Sequence, residues 1–249
     1  MQLNQALDVN ALAGELAEKR RLQIRDILDP DSADLIHGIL ETQTPWWLVY
    51  NVGERVDQIT PEQLARLHPG QIEQIFQGAV ERAQSQYQFI YSSYPMVGTY
   101  FDPAAPNQPI HRLFEFLNSP PILDWFRRLT GRQDVLWIDA QATLYQPGNF
   151  LKSHSDLDPQ NRRAAAYVLN FTRGWERDWG GYLQFYNDSH DIELALRPIF
   201  NAMNIFLVPT DHSVGIVAPF APRDRLSVTG WLRTDPPPGP FPQSRAGQS

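Results

Sequence analysis

Two periodicities divide the chain. Up to about residue 133 the apolar positions recur at helical spacing, and from Asp134 onward they come in short runs of strand length separated by Gly, Pro, Asn and Asp. From about Asp31, the residues Leu35, Ile36, Ile39 and Leu40 form one stripe. Between Gln71 and Gln84, a second stripe is formed by Ile72, Ile75, Phe76, Ala79, Val80 and Ala83. In Thr60-Pro61-Glu62-Gln63 a capping residue, a proline at the first helical position and a glutamine at the third make a capping box, which predicts a short helix there. A last helix is predicted from Pro121 to Leu129, with Gly131 placed to end it in the left-handed conformation.

Eight strands are predicted after that: Val135–Tyr145, Phe150–Asp156, Ala164–Phe171, Tyr182–Tyr186, Ile192–Arg197, Asn204–Val208, Ser213–Val217 and Leu226–Leu232. Eight antiparallel strands behind a helical segment suit a mostly β fold, a jelly-roll or cupin-like double-stranded β-helix with helices packed on one sheet. Trp46–Asn51 and Tyr87–Tyr94 are expected to extend its edges. We therefore expect one structural domain: an N-terminal helical segment with edge strands over 1–133, a catalytic core over 134–234, and a disordered Pro-, Gly- and Ser-rich tail over 235–249.

Composition narrows the chemistry. With 249 residues, 42% of them apolar, the chain has enough material for one sizeable core. It contains no cysteine, so any metal must be held by His and carboxylates. A net charge of -7 argues against a nucleic-acid partner. No apolar run is long enough for a membrane helix and Met1–Gln5 lacks the features of a signal peptide, so a cytoplasmic location is expected.

The densest chemistry is His154-Ser155-Asp156. On an extended strand, residues two apart point to the same side, so this His and this carboxylate can meet one ion. Taken alone, so short a pattern also arises by chance. His212 opens a later strand and a barrel can bring it alongside, although by itself it equally reads as a polar residue at a turn. Together, two nitrogens and one oxygen on one face of an octahedron leave three positions open, which suits Fe(II) and not a closed structural zinc site. On the last strand Arg225, Ser227, Thr229 and Trp231 share a face. A guanidinium turned into a barrel needs a charged partner, and the carboxylate of a dicarboxylic cosubstrate is one. A surface pair with Asp224 is the competing assignment.

The order H-x-D, long gap, His, then Arg-x-Ser-x-Thr-Gly-Trp resembles the 2-oxoglutarate and Fe(II)-dependent oxygenases, specifically their prolyl 4-hydroxylase-like branch. The likeness runs from about Trp137 to Leu232 and includes Tyr145-Gln146-Pro147-Gly148 before the metal strand and Trp179-Gly180-Gly181-Tyr182-Leu183. It implies Fe(II) on His154, Asp156 and His212, 2-oxoglutarate as cosubstrate, O₂, and ascorbate as a reductant. It also implies cosubstrate contacts from Arg225, Tyr145, Thr229 and Trp231. Where the oxygen-sensing members of that branch carry a second Tyr, this chain has Val168 with Tyr167 beside it, which leaves Tyr145 or Tyr167 to complete the pocket. Halogenases of the superfamily have a small residue at the carboxylate position, so Asp156 points to hydroxylation.

The resemblance favours a prolyl residue of a protein or peptide as substrate. A free amino acid or other small metabolite is the alternative, and a non-catalytic cupin-like metal-binding or sensor module is the alternative from another class. Tyr87–Tyr100 is the candidate substrate lid, with Trp46-Trp47 a second candidate. Trp175 and Trp179 read as core packing, and His37, His68, His111 and His190 as surface or capping residues.

Overall fold

A computed structural model describes residues 1–160 and 162–241. Its first half runs α1 (Val9–Lys19), β1 (Arg21–Ile24), α2 (Pro30–Thr42), β2 (Trp47–Val52), β3 (Arg55–Ile59), α3 (Pro61–Leu64), α4 (Pro69–Ala83), β4 (Phe89–Tyr94), α5 (Met96–Phe101), α6 (His111–Leu117) and α7 (Pro120–Thr130). Strands dominate the second half: β5 (Trp137–Ile138), β6 (Gln141–Tyr145), β7 (Phe150–His154), β8 (Arg163–Asn170), β9 (Leu183–Tyr186), β10 (Ile192–Leu196), β11 (Ala202–Leu207), β12 (His212–Val214) and β13 (Arg225–Arg233).

The helices begin where their caps place them. Asp29 accepts from the Ser32 amide and Pro30 opens α2, and Thr60 and Gln63 form the expected reciprocal box at α3. Gly131 ends α7 at φ 68°. His68 caps α4, its Nδ1 accepting from the Gly70 amide. Unforeseen were α1, capped by Asp8, the strand β3, the helices α5 and α6, and β1, a four-residue strand too short to stand out from its polar flanks.

The main sheet path runs β1-β11-β8-β13-β6-β4-β7-β12-β9-β10, every pairing in it antiparallel, and it curls into a nearly closed jelly-roll barrel. Its two end strands approach through side chains: Arg21 pairs with Glu193, and Gln23 Nε2 donates to Arg197 O at 2.9 Å. Strand alternation then divides inside from outside. Leu226, Val228 and Leu232 of β13, Tyr167 and Leu169 of β8, and Ala142 and Leu144 of β6 pack outward with Ile36, Phe114 and Phe126 of the helices. The intervening Arg225, Ser227, Thr229 and Trp231, with Val168, Thr143 and Tyr145, face the barrel interior.

Three expectations change. The first barrel strand is broken at Asp139 and Ala140 into β5 and β6. β4 is not an edge: its residues 92–94 pair with β6, 89–90 with β7 and 90–93 with β2, so it bridges the corner where β6 turns into β7. That bonding also removes it as a lid, and Trp46 and Trp47 pack against the main core instead of covering a mouth. Finally, residues 235–241 of the expected tail are in contact with the body. Asp235 O accepts from Trp137 Nε1 at 2.8 Å, and the Phe241 ring lies 5.7 Å from that of Phe114. Residues 242–249 lie outside the described residues.

Gly180 and Gly181 adopt φ 66° and 65°, and a Cβ on Gly180 would lie 2.1 Å from Ile216 O. Gly180→Ala therefore combines a left-handed backbone with a main-chain clash and is expected to cost about 3 kcal/mol. Gly14→Ala, in α1 with nothing within 4 Å of the new methyl, should instead add about 0.5–1 kcal/mol. Urea midpoints of the two variants against the parent chain check both signs.

A candidate metal centre

His154 ends β7 and His212 begins β12, and the two are direct register partners across the β7–β12 pair. Their ring centroids are 4.2 Å apart. Each imidazole is oriented by its own backbone: His154 Nδ1 lies 3.0 Å from Lys152 O and His212 Nδ1 lies 2.8 Å from Thr210 O. A proton on Nδ1 donated to those carbonyls leaves each Nε2 lone pair free to bind a metal. Both Nε2 atoms face Asp156, at 3.4 Å from Oδ1 for His154 and 3.6 Å from Oδ2 for His212.

Asp156 reaches this place by a route that strand alternation did not anticipate. β7 stops at His154, and Asp156 sits two residues beyond it at φ 57°, the left-handed region that Asp tolerates better than most residues. Its Oδ2 accepts from Trp231 Nε1 at 2.9 Å. One ligand atom from each of the three residues falls within 4.8 Å of the others.

Protonation suits the same task. Burial, reinforced by the neighbouring His154, pushes the His212 imidazole down to about 4, so it is neutral at physiological pH. Burial opposes ionisation of Asp156, yet the neighbouring His154 and His212 hold its carboxyl below the usual carboxylate range. A neutral His212 imidazole and an ionised Asp156 carboxylate are donors of the kind that an Fe(II) site with open positions uses.

The three residues line a cavity of about 590 Å³ that also contains Arg225, Tyr145, Thr229 and Trp231. Arg225 is 1% exposed. Its Nη2 donates to Asn170 Oδ1 at 3.3 Å, its Nε has no partner among the described residues, and its guanidinium lies 5.2 Å from the centre of the Tyr145 ring. Among the described residues no carboxylate pairs with it, and Asp224 is bonded to Gln146 instead. A buried guanidinium in this condition is costly unless an anion enters the cavity. The cavity thus offers both a metal-ligand set and a cradle for a carboxylate.

The remaining assignments divide. Tyr145 faces the cavity, stacked on Tyr91 at 4.9 Å, whereas Tyr167 points to the opposite side of β8 and donates to Asp139 O at 2.8 Å. Val168 is the β8 residue on the cavity side. Burial raises the Tyr145 phenol well above its ordinary range, which keeps it a proton donor. Thr229 Oγ1 donates to Tyr167 O at 2.8 Å, and Trp231 spends its indole N–H on Asp156. Trp175 and Trp179 pack edge to face in a core cluster, as expected. His111 is the exception among the other histidines. It is 1% exposed, with Nε2 3.0 Å from Thr99 Oγ1, a buried polar junction and not a surface residue.

Sequence reasoning offered Tyr87–Tyr100 as a lid and did not foresee that Tyr87, Phe89 and Tyr91 form a wall of the cavity, nor that Gln141, Thr143 and Arg163 line it. The period of two in Tyr87-Gln88-Phe89-Ile90-Tyr91 was the available signal, because alternate residues of β4 face the cavity.

Comparison with known proteins agrees with this geometry. Over 252 residues the chain is 24% identical to prolyl 3-hydroxylase sudestada1 of Drosophila melanogaster, matching 90% of this chain but 46% of that protein, so it spans about half the length of that relative. In fold it is similar to a Pseudomonas putida prolyl-4-hydroxylase, with TM-score 0.57, 18% identity, 92% of this chain and all of that one covered. It is also similar to a Trichoplax adhaerens prolyl hydroxylase in complex with a hypoxia inducible factor oxygen degradation domain peptide fragment, with TM-score 0.56, 14% identity, and 91% and 89% of the two chains covered. Residues 140–233, which contain both histidines, Asp156, Tyr145 and Arg225, match the 2OG-Fe(II) oxygenase superfamily.

Proposed function

We propose that the chain is a 2-oxoglutarate- and Fe(II)-dependent dioxygenase that hydroxylates an unactivated C–H bond, with a prolyl residue of a protein or peptide as its substrate. The observation that carries this reading is the pairing, in one cavity, of the His154–Asp156–His212 donor set with the buried, unneutralised guanidinium of Arg225. A metal-binding module without turnover has no need of that guanidinium.

In this reading His154, Asp156 and His212 hold Fe(II). When bound, iron with 2-oxoglutarate and O₂ supplies an oxidant strong enough for a C–H bond, as the cosubstrate is decarboxylated to succinate. Arg225 anchors the far carboxylate of the cosubstrate, and Asn170 keeps the guanidinium turned into the cavity through the Nη2 bond. Tyr145, protonated and stacked on Tyr91, is placed to donate a hydrogen bond to the cosubstrate on the same side of the cavity. Phe206, Leu183 and Val214 dry the wall around the two histidines, which strengthens each polar contact inside.

A peptide is favoured over a small metabolite by the rim. Tyr87, Val56 and Leu157 line the cavity and are 45%, 51% and 66% exposed, an apolar border wider than a small polar metabolite would use. The Drosophila melanogaster, Pseudomonas putida and Trichoplax adhaerens proteins to which the chain is similar are prolyl hydroxylases, which favours the same substrate class. No helix among the described residues is long and apolar enough to cross a membrane, and we read the location as cytoplasmic.

Purified chain given Fe(II), O₂ and 2-oxoglutarate is expected to form succinate slowly without substrate, and a prolyl peptide should gain one oxygen by mass spectrometry. Absence of both 2-oxoglutarate binding and succinate would overturn the oxygenase reading. His154→Ala and Asp156→Ala should lose iron binding and turnover while keeping the parent circular dichroism spectrum.

Arg225→Ala should weaken 2-oxoglutarate binding by roughly 2–5 kcal/mol, the scale for losing one partner of a buried charge-assisted pair. Calorimetric titration of the Fe(II)-loaded variant measures it, and unchanged affinity would mean that another group anchors the cosubstrate.

A further inference from the structure

Asp139 lies in the break between β5 and β6, opposite Gly230 and Trp231 of β13. Its amide donates to Trp231 O at 3.0 Å, one half of a regular antiparallel exchange. The other half is missing. Asp139 O accepts from Tyr167 Oη at 2.8 Å, and the Trp231 amide donates instead to the Asp139 carboxylate, Oδ1, at 2.7 Å. The side chain has taken the carbonyl's place. It can do so because position 230 has no side chain: a Cβ there would lie 2.1 Å from Asp139 O and 2.5 Å from Oδ1.

What this holds is the indole. Trp231 Nε1 donates to Asp156 Oδ2, and Arg163 lies over the ring at 3.9 Å from its centre. Asp156 itself lies past the end of β7 in a left-handed conformation, so no strand pairing orients its carboxylate. Among the described residues the hydrogen bond recorded to its side chain from outside the triad is that indole bond.

We propose that Asp139 is a positioning residue for the metal centre: by anchoring the Trp231 main chain it sets the indole that orients Asp156 for metal binding. The proposal rests on reading His154, Asp156 and His212 as metal ligands. Asp139 does not line the cavity; Arg233 Nη1 lies 3.6 Å from its Oδ2, and Arg163 and Asp156 are its further charged neighbours. A merely structural Asp139 would affect stability and leave metal affinity alone.

The test is a double-mutant cycle read by Mn(II) binding, with free Mn(II) followed by electron paramagnetic resonance and folding checked by thermal melting of the metal-free proteins. Asp139→Ala should weaken Mn(II) binding about tenfold, the low end of what loss of an outer-shell partner costs. Asp139→Asn keeps an oxygen acceptor for the Trp231 amide and should stay within about twofold of the parent. Trp231→Phe should itself weaken binding, and adding Asp139→Ala to it should change affinity by less than about twofold, because the route through the indole is already gone. If the alanine variant does not fold, Asp139→Leu, which keeps volume and removes the acceptor, takes its place. Parent-like Mn(II) affinity in the folded Ala or Leu variant, or an equal loss in the Trp231→Phe background, overturns the proposal. A parent chain that binds no Mn(II) at all overturns instead the reading of the triad as a metal site.

Discussion

Arg225 is a full positive charge placed where the chain by itself does not neutralise it. Its stem is hemmed in by Gly181, whose Cβ would lie 3.3 Å from Arg225 Cδ, and its head meets one amide oxygen and the face of Tyr145. Much of the barrel can be understood as what makes such a group tolerable. The neighbouring residues of β13, Leu226 and Val228, drive the strand into the helical core with enough apolar burial to hold the opposite face in place. Ser227 and Thr143 satisfy each other at 2.7 Å on the same face as the guanidinium. The stability spent on Arg225 is recovered when an anion binds, so the barrel is most complete with a carboxylate inside it.

The parts of this arrangement that were legible in the sequence are those with a local signature. The caps at Asp29, Thr60 and Gly131 act within a few residues, and the alternation of β13 is visible because both of its faces are buried with opposite polarity. The ordered spacing of His154, Asp156, His212 and Arg225 carried the site further than any one of those residues. What stayed hidden depended on long-range pairing. That β4 bridges β6 and β7 is set by partners some fifty residues away, so Tyr87–Tyr94 looked like an edge or a lid. Asp156 was placed correctly for an incomplete reason: two residues apart on a strand is the wrong geometry, and the left-handed turn after His154 is the right one. The break at Asp139 had no local signal, because its cause is a glycine ninety residues later.

The same division separates chemistry from choice of substrate. Every side chain assigned to the metal or to the cosubstrate lies within residues 140–233, the stretch that matches the superfamily. Three apolar or aromatic residues that reach the cavity wall and mouth from outside that stretch, Tyr87, Phe89 and Tyr91, belong to or immediately precede β4, and Val56 comes from the β2–β3 hairpin. They stand beside the metal ligands, with the Tyr87 ring 5.8 Å from that of His154. Because β4 is bonded into the barrel at both β6 and β7, this wall is as firmly placed as the site it adjoins. Among the described residues β3, by contrast, pairs only with β2, so the hairpin that carries Val56 has fewer constraints on its position. A rigid aromatic wall beside the metal and a less constrained apolar hairpin at the mouth assign different tasks to the two segments. In the proposed reading, the wall would present the reacting carbon and the hairpin would bear on how much of the surrounding chain is admitted.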